Sequence, residues 1–187
     1  MRLKDENKQL RIKEAMVRLI LREGINGASI SKIAKEAGVS PATIYVYYSN
    51  KDELLSEVYQ EYSRKSYRYL KDMLQEDMDA ASLLETIVRG YYQFSIEHED
   101  VFSFVEQCSR CPSLAQTVAE EECCCDIFDI LRGYQSRNEI STISDMNMAA
   151  ILFAPIRFLA MNRHYMSSEP DVLLDELSRL MKQILIG

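Results

Sequence analysis

Apolar residues recur along this chain at intervals of three and four, and rarely at intervals of two. That period belongs to helices with one face turned inward. Strand signals are scarce, and only four prolines and six glycines break the pattern, so the chain is predicted to be all-α with about nine helices. The first covers about 5–23, with Leu10, Ala15, Leu19 and Ile20 inward, and stops at Gly24. A second carries Ile30, Ile33, Ala34 and Ala37 at i, i+3, i+4 and i+7 behind a capping Ser29. Gly38 supplies the left-handed residue that ends it, and Val39 plugs the angle to the next helix.

Ser40 caps and Pro41 opens a short third helix reaching about Tyr48. Ile44 and Tyr48, four apart, face inward, which leaves Ala42, Thr43, Tyr45, Val46 and Tyr47 looking outward. Asn50 and Glu53 form a capping box for a fourth helix that starts at Lys51 and extends to about Gln75. Further helices are expected over about 81–97, 101–108 and 112–134, then, past a polar loop at 136–142, over 144–166 and 170–186. Pro155 inside the eighth is expected to kink or split it, because the carbonyl four residues back loses its donor.

Residues 29–55, SISKIAKEAGVSPATIYVYYSNKDELL, therefore spell a helix, a tight turn, a second helix and the start of a third. A helix-turn-helix of this kind lays its second helix in the major groove of DNA. Residues 1–50 are expected to form this DNA-binding domain and residues 51–187 a helical regulatory and dimerisation domain. The helix starting near 51 belongs to both.

Residues 11–55 resemble the DNA-binding domain of the tetracycline-repressor (TetR) family of bacterial transcriptional regulators. The resemblance is carried by RIKEAMVRLILREG at 11–24, Ser29, KIAKEAGVS at 32–40, ATIYVYY at 42–48 and NKDELL at 50–55. The chain departs from the family pattern at Ala42, where glycine is frequent, at Val46, where a polar residue is common, and at Tyr48, where phenylalanine is usual. The resemblance implies a homodimeric regulator, a repressor released from a palindromic double-stranded operator by a small-molecule effector. It implies that Tyr45 contacts a phosphate. It also implies an effector pocket among helices five to eight, where Tyr91, Phe94, Phe102, Glu106, Phe128 and Arg157 are the candidates for an apolar or aromatic ligand.

The residues themselves suggest how DNA is held. Affinity should come mainly from phosphate contacts and sequence choice from a few side chains at the groove floor. Tyr47 and Lys51 join Tyr45 as phosphate candidates, and Lys51 starts a helix whose dipole favours an anion. Ser29 and Ser40 are caps that add weaker contacts. Thr43 reads a base edge, with Ala42 and Val46 meeting thymine methyl groups. The third helix holds no Arg, Asn or Gln for a bidentate base contact, so direct readout should be modest, with Arg2, Lys4 and Lys8 as a supplementary arm.

Charge fits that division. Residues 1–55 carry +3 and the remainder −10, within a net charge of −7 over 187 residues. A basic end on an acidic chain coincides with the helix-turn-helix. The eighth helix, MNMAAILFAPIRFLAM, is apolar on nearly all sides and should be buried on nearly all sides. With Leu173, Leu177, Leu180 and Ile184 as a seam on the last helix, it is expected to pair with its symmetry mate in a four-helix bundle, placing Ile151, Pro155 and Phe158 at the dimer interface.

The charged start MRLKDENKQLRIKEA is no secretion signal, and the longest apolar run is too short to span a bilayer. Five cysteines, three of them adjacent, do not form a disulfide framework. A cytoplasmic protein is expected. Cys108 and Cys111 suggest an alternative, a thiol- or metal-responsive regulator. Against metal, Cys123, Cys124 and Cys125 point about 100° apart on a helix, and His98 and His164 complete no ligand pattern. No nucleophile–base pair or phosphate loop suggests an enzyme, and no cofactor is expected. A non-specific architectural DNA binder is a further alternative, disfavoured by the long acidic C-terminal part.

Overall fold

The computed structural model describes residues 2–75, 77–111, 114, 122–166 and 168–187, with the side chains of 2–6 and 122–126 outside that description. Among the described residues there is no strand. The helices are α1 (Arg2–Glu23), α2 (Ile30–Ala37), α3 (Pro41–Tyr47), α4 (Lys51–Met73), α5 (Ala80–Glu97), α6 (Glu99–Cys108), α7 (Glu122–Ser136), α8 (Asp145–Asn162) and α9 (Pro170–Leu185). Single 3-10 turns follow α1 at Ile25–Gly27 and α8 at Arg163–Tyr165. The seventh helix was expected from Pro112; most of 112–121 lies outside the described residues.

The chain divides into two compact units, one of Met1–Ser63 with Asp100–Glu121, the other of Arg64–Glu99 with Glu122–Gly187. In the first, Ile12, Ala15, Met16, Leu19 and Ile20 of α1 are buried at i, i+3, i+4, i+7 and i+8. Leu10, expected inward, is 52% exposed instead. It sits two residues before Ile12, about 200° around the helix, and so misses the stripe. Ile33, Ala34 and Ala37 of α2 meet α1, and Ile44 and Tyr48 close the far side. Each of the larger aliphatic side chains, Ile12, Met16, Leu19, Ile20, Ile33 and Ile44, contributes roughly 1.5–3 kcal/mol by leaving water. Tyr62 of α4 sets its ring edge-on to Phe104 of α6, with 5.4 Å between centroids.

The second unit is organised by α5, which packs on α8 and α9. Phe153 of α8 stands edge-on to Tyr91, at 5.3 Å, and to Phe128 of α7, at 6.4 Å. At Gly90 an added Cβ would meet Met73 Sδ at 2.9 Å and Leu70 Cδ2 at 3.2 Å, so the side chains of α4 seat closely on α5 there and would have to shift to admit a larger residue. Arg89 pairs with Asp171 and Asp175, and Lys182 donates to Glu85 at 2.7 Å, tying α5 to α9. Tyr134 donates to the Met78 carbonyl at 2.5 Å.

The single chain bears on α8 in two ways. Pro155 does not split it; the helix runs unbroken from Asp145 to Asn162. Nor is it buried all round in the single chain. Met148, Leu152, Phe153, Ile156 and Ala160 are buried, whereas Met146, Ala150, Ala154 and Phe158, spaced by four, are exposed. No helix among the described residues is long and apolar enough to cross a membrane.

Candidate DNA interface

The turn between α2 and α3 is built by backbone geometry. Gly38 takes φ 64°, ψ 40°, the left-handed conformation that costs an L side chain energy. From there Gly38 N–H donates to the Lys35 carbonyl at 3.2 Å and Val39 N–H to the Ala34 carbonyl at 2.9 Å, closing α2 with a Schellman motif. Both N-caps form as the sequence implies: Ser29 Oγ accepts from Lys32 N–H at 3.4 Å and Ser40 Oγ from Thr43 N–H at 3.2 Å. The α4 cap differs in one half. Asn50 Oδ1 accepts from Glu53 N–H at 2.8 Å, but the Glu53 carboxylate accepts from Ser49 N–H, at 2.6 Å, instead of from Asn50. The hydrogen bond from the Ser49 backbone holds the Glu53 carboxyl below its ordinary range.

These constraints set the outer face of α3. Tyr45 is 58% and Val46 77% exposed, and Ala42 is exposed beside them. Thr43 is half-buried, its hydroxyl 2.9 Å from Ser40 Oγ. Tyr47 is half-buried, with its ring 6.4 Å from that of Tyr48, which is buried. Lys51 is half-buried and donates from Nζ to the Ile25 carbonyl at 3.3 Å, which places its ammonium beside the 3-10 turn. Exposed apolar side chains on a helix held by two caps form a surface shaped for docking.

The basic character of this end is more committed than its sequence suggests. Arg18 and Arg22 pair with Glu36 at 3.2 and 3.3 Å, and Lys32 with Glu23 at 2.7 Å. Hydrogen bonds from Arg18 and Lys32 hold the Glu36 and Glu23 carboxyls below their usual range. Such surface pairs are screened by water and stabilise little. A group that sequence reasoning did not single out joins α1 to α4: Lys13 of α1 contacts Glu57 and Glu61 of α4 at 2.6 and 2.8 Å. Its signal was present in two glutamates four apart on α4 and a lysine inside an apolar stripe. The side chains of Arg2 and Lys4 lie outside the described residues.

The effector candidates divide. Phe102, buried, and Glu106, half-buried, belong to the first unit. Tyr91 and Phe94, buried, and Phe128 and Arg157, half-buried, belong to the second. There Tyr91 and Phe128 meet at Phe153, while Phe94 lies with Tyr69 and His98, at 5.3 and 5.0 Å between ring centroids. Phe94, Tyr69 and His98 line a groove of about 240 Å³ with Lys65, Arg68 and Asp72. Of the dimer candidates, Ile151, Pro155, Leu173 and Leu177 are half-buried. Phe158, Leu180 and Ile184 are 65%, 52% and 58% exposed. Cys108 is fully buried, and burial pushes its thiol up to about 12, which leaves almost no thiolate at neutral pH. No group of three or more His, Cys, Asp or Glu among the described residues is arranged to hold a metal ion. The Cys123–Cys125 side chains lie outside the described residues.

Residues 12–58 match the family described as bacterial regulatory proteins, tetR family. An uncharacterised HTH-type transcriptional regulator of Haemophilus influenzae is 42% identical over 62 residues, 33% of this chain and 31% of that protein. The fatty acid metabolism regulator protein of Bacillus subtilis is 29% identical over 85 residues, 46% of this chain and 44% of that protein. The chain thus spans less than half the length of these relatives. A TetR family transcription regulator from Marinobacter aquaeolei has the same fold, with a TM-score of 0.84 at 21% identity over 100% of both chains.

Proposed function

We propose, on the match of residues 12–58 to the tetR family, that this chain is a DNA-binding transcriptional regulator of that family. It works in the cytoplasm as a homodimer that represses by occupying a palindromic operator. Residues 1–50 read the DNA, residues 51–187 dimerise and sense, and α4 belongs to both. The observation that carries the reading is the outer face of α3, where Tyr45 and Val46 stand exposed between a capped start and a buried Tyr48. Tyr45, Tyr47 and Lys51 hold phosphates, with weaker help from Ser29 and Ser40. Thr43, Ala42 and Val46 meet base edges and thymine methyl groups.

Dimerisation is supported by exposed apolar residues on two successive helices of the second unit, Met146 and Phe158 on α8 and Leu180 and Ile184 on α9. A monomer leaves such a surface in water only at a cost. Pairing α8 and α9 with their copies covers it and spaces two reading heads for half-sites roughly 34–36 Å apart, or a multiple of that. A small apolar or aromatic effector, bound among the aromatic residues of the second part, releases the operator by favouring another head spacing. The inert thiol of Cys108 speaks against oxidation as the signal.

Selection of bound duplexes from random DNA, with the mass of the free protein measured in parallel, tests the reading. Recovery of one palindrome by a dimer supports it. A monomer at micromolar concentration with no preference among duplexes defeats it.

A further inference from the structure

Lys13 occupies a position that helix period assigns to the core. Its neighbour Ile12 and the following Ala15 and Met16 are fully buried, and its own side chain is only 17% exposed. The ammonium is set between two carboxylates one turn apart on α4, Glu57 at 2.6 Å and Glu61 at 2.8 Å. Glu57 also accepts a longer hydrogen bond, 3.4 Å, from the hydroxyl of Tyr48. Tyr48 is where α3 ends: its N–H donates to the Ile44 carbonyl at 3.0 Å, its backbone turns extended, and its ring is buried. One ammonium therefore touches α1 and α4 and reaches the end of α3 through Glu57. Desolvation works against the charge on Lys13, but the two carboxylates outweigh it and raise its pKa above the ordinary lysine range.

Apolar side chains replacing all three charged groups would stabilise this position about as well, because partly buried ions lose much of their attraction to desolvation. A clamp of two short, directed hydrogen bonds supplies what an apolar contact does not, a fixed rotation of α4 about its axis relative to α1. A side chain that reads a groove floor must be held to within about 0.5 Å and 10–20°. We propose that Lys13 is a positioning residue for DNA recognition, which by gripping Glu57 and Glu61 fixes the angle at which Tyr48 presents α3 to the groove. The inference rests on the reading of this chain as a DNA binder. Lys13 touches no DNA in it. Its loss lowers discrimination between duplexes and spares phosphate binding.

The test uses the full chain and three variants: Lys13→Met, which keeps the stem and removes the charge, Lys13→Arg, and Lys13→Met combined with Glu57→Gln and Glu61→Gln. Affinity is measured for a selected duplex and for a mixed-sequence competitor, with amide exchange followed at residues 41–48. Lys13→Met is expected to lower the selected-to-competitor affinity ratio about tenfold, or 1.4 kcal/mol, with the salt slope unchanged. It is also expected to speed exchange in α3 but not in α5, and Lys13→Arg is expected to restore both readouts. If the triple variant regains the ratio, Lys13 merely neutralises carboxylates near DNA and the proposal fails. Unchanged α3 exchange in Lys13→Met also overturns it. A wild-type chain that prefers no duplex sinks the regulator reading instead, while the exchange data still decide whether Lys13 holds α3.

Discussion

Ser40 Oγ and Thr43 Oγ1 stand 2.9 Å apart on the first turn of α3, with Ser40 Oγ also accepting the Thr43 N–H at 3.2 Å. The cap residue thus fixes both the start of the reading helix and the direction of the one hydroxyl on its outer face able to meet a base. A base that recruits Thr43 must share that hydroxyl with Ser40. Ser40→Ala should therefore cost about 1 kcal/mol of stability through the lost cap. It should also blur preference at the base pair that Thr43 meets. Thermal melts and selection of bound sequences measure the two effects separately; a changed melt with an unchanged preference would confine Ser40 to capping.

Tyr45 and Lys51 should separate from one another in salt. Tyr45→Phe removes a neutral hydroxyl from an exposed ring, so operator affinity should fall while the salt slope and thermal midpoint hold. Lys51→Ala removes a charge and should reduce the slope by about 0.9 as well as the affinity. The cost to folding should be small, because the hydrogen bond that is lost runs to the Ile25 carbonyl from a half-buried side chain. Fluorescence anisotropy over a salt series checks both, and unfolding of either variant would mark it as structural.

A charge placed on the exposed stripe of the second unit should produce a monomer. Leu180→Glu and Phe158→Glu alter residues 52% and 65% exposed in the single chain, so each chain should still fold. Sedimentation equilibrium should show the monomer mass, and the melting temperature should lose its dependence on protein concentration. Dimers persisting in both variants would move the interface elsewhere.

Stability should fall in acid, with a window set by depressed carboxyls. Hydrogen bonds from Lys182 and then Arg89 hold Glu85 below its ordinary value of 4.5. The Ser82 backbone does the same for Asp79, whose ordinary value is 3.8. As pH drops, the unfolded chain takes up these protons first, so the stabilisation is complete above pH 4.5 and is lost as pH falls through the folded-state values. Glu85→Gln should lower the thermal midpoint at pH 7 and converge on the wild type once the pH has fallen below the depressed folded-state value of Glu85. A constant difference between the two proteins across that range would contradict the assignment.

The helix-turn-helix was legible because its determinants are local. Ser29, Gly38, Ser40 and Pro41 act within a few residues of themselves, and Ile44 and Tyr48 declare their face by spacing alone. Leu10 obeys the same spacing: it lies about 200° around α1 from Ile12, so the helix period itself places it off the buried stripe. Of the two outcomes expected of Pro155, a kink or a split, the split does not occur, since α8 runs unbroken through it.

What the chain determined by itself was the helical period, the caps, the turn and the outward face of α3, all of which rest on interactions within one or two turns. Tertiary structure decided which charges are engaged and with what. Lys13 finds Glu57 and Glu61 more than forty residues away, Lys32 turns to Glu23, and Lys51 settles on the Ile25 carbonyl. Long flexible side chains choose partners by through-space distance, and no local pattern encodes which distant carboxylate a folded core will bring within 3 Å.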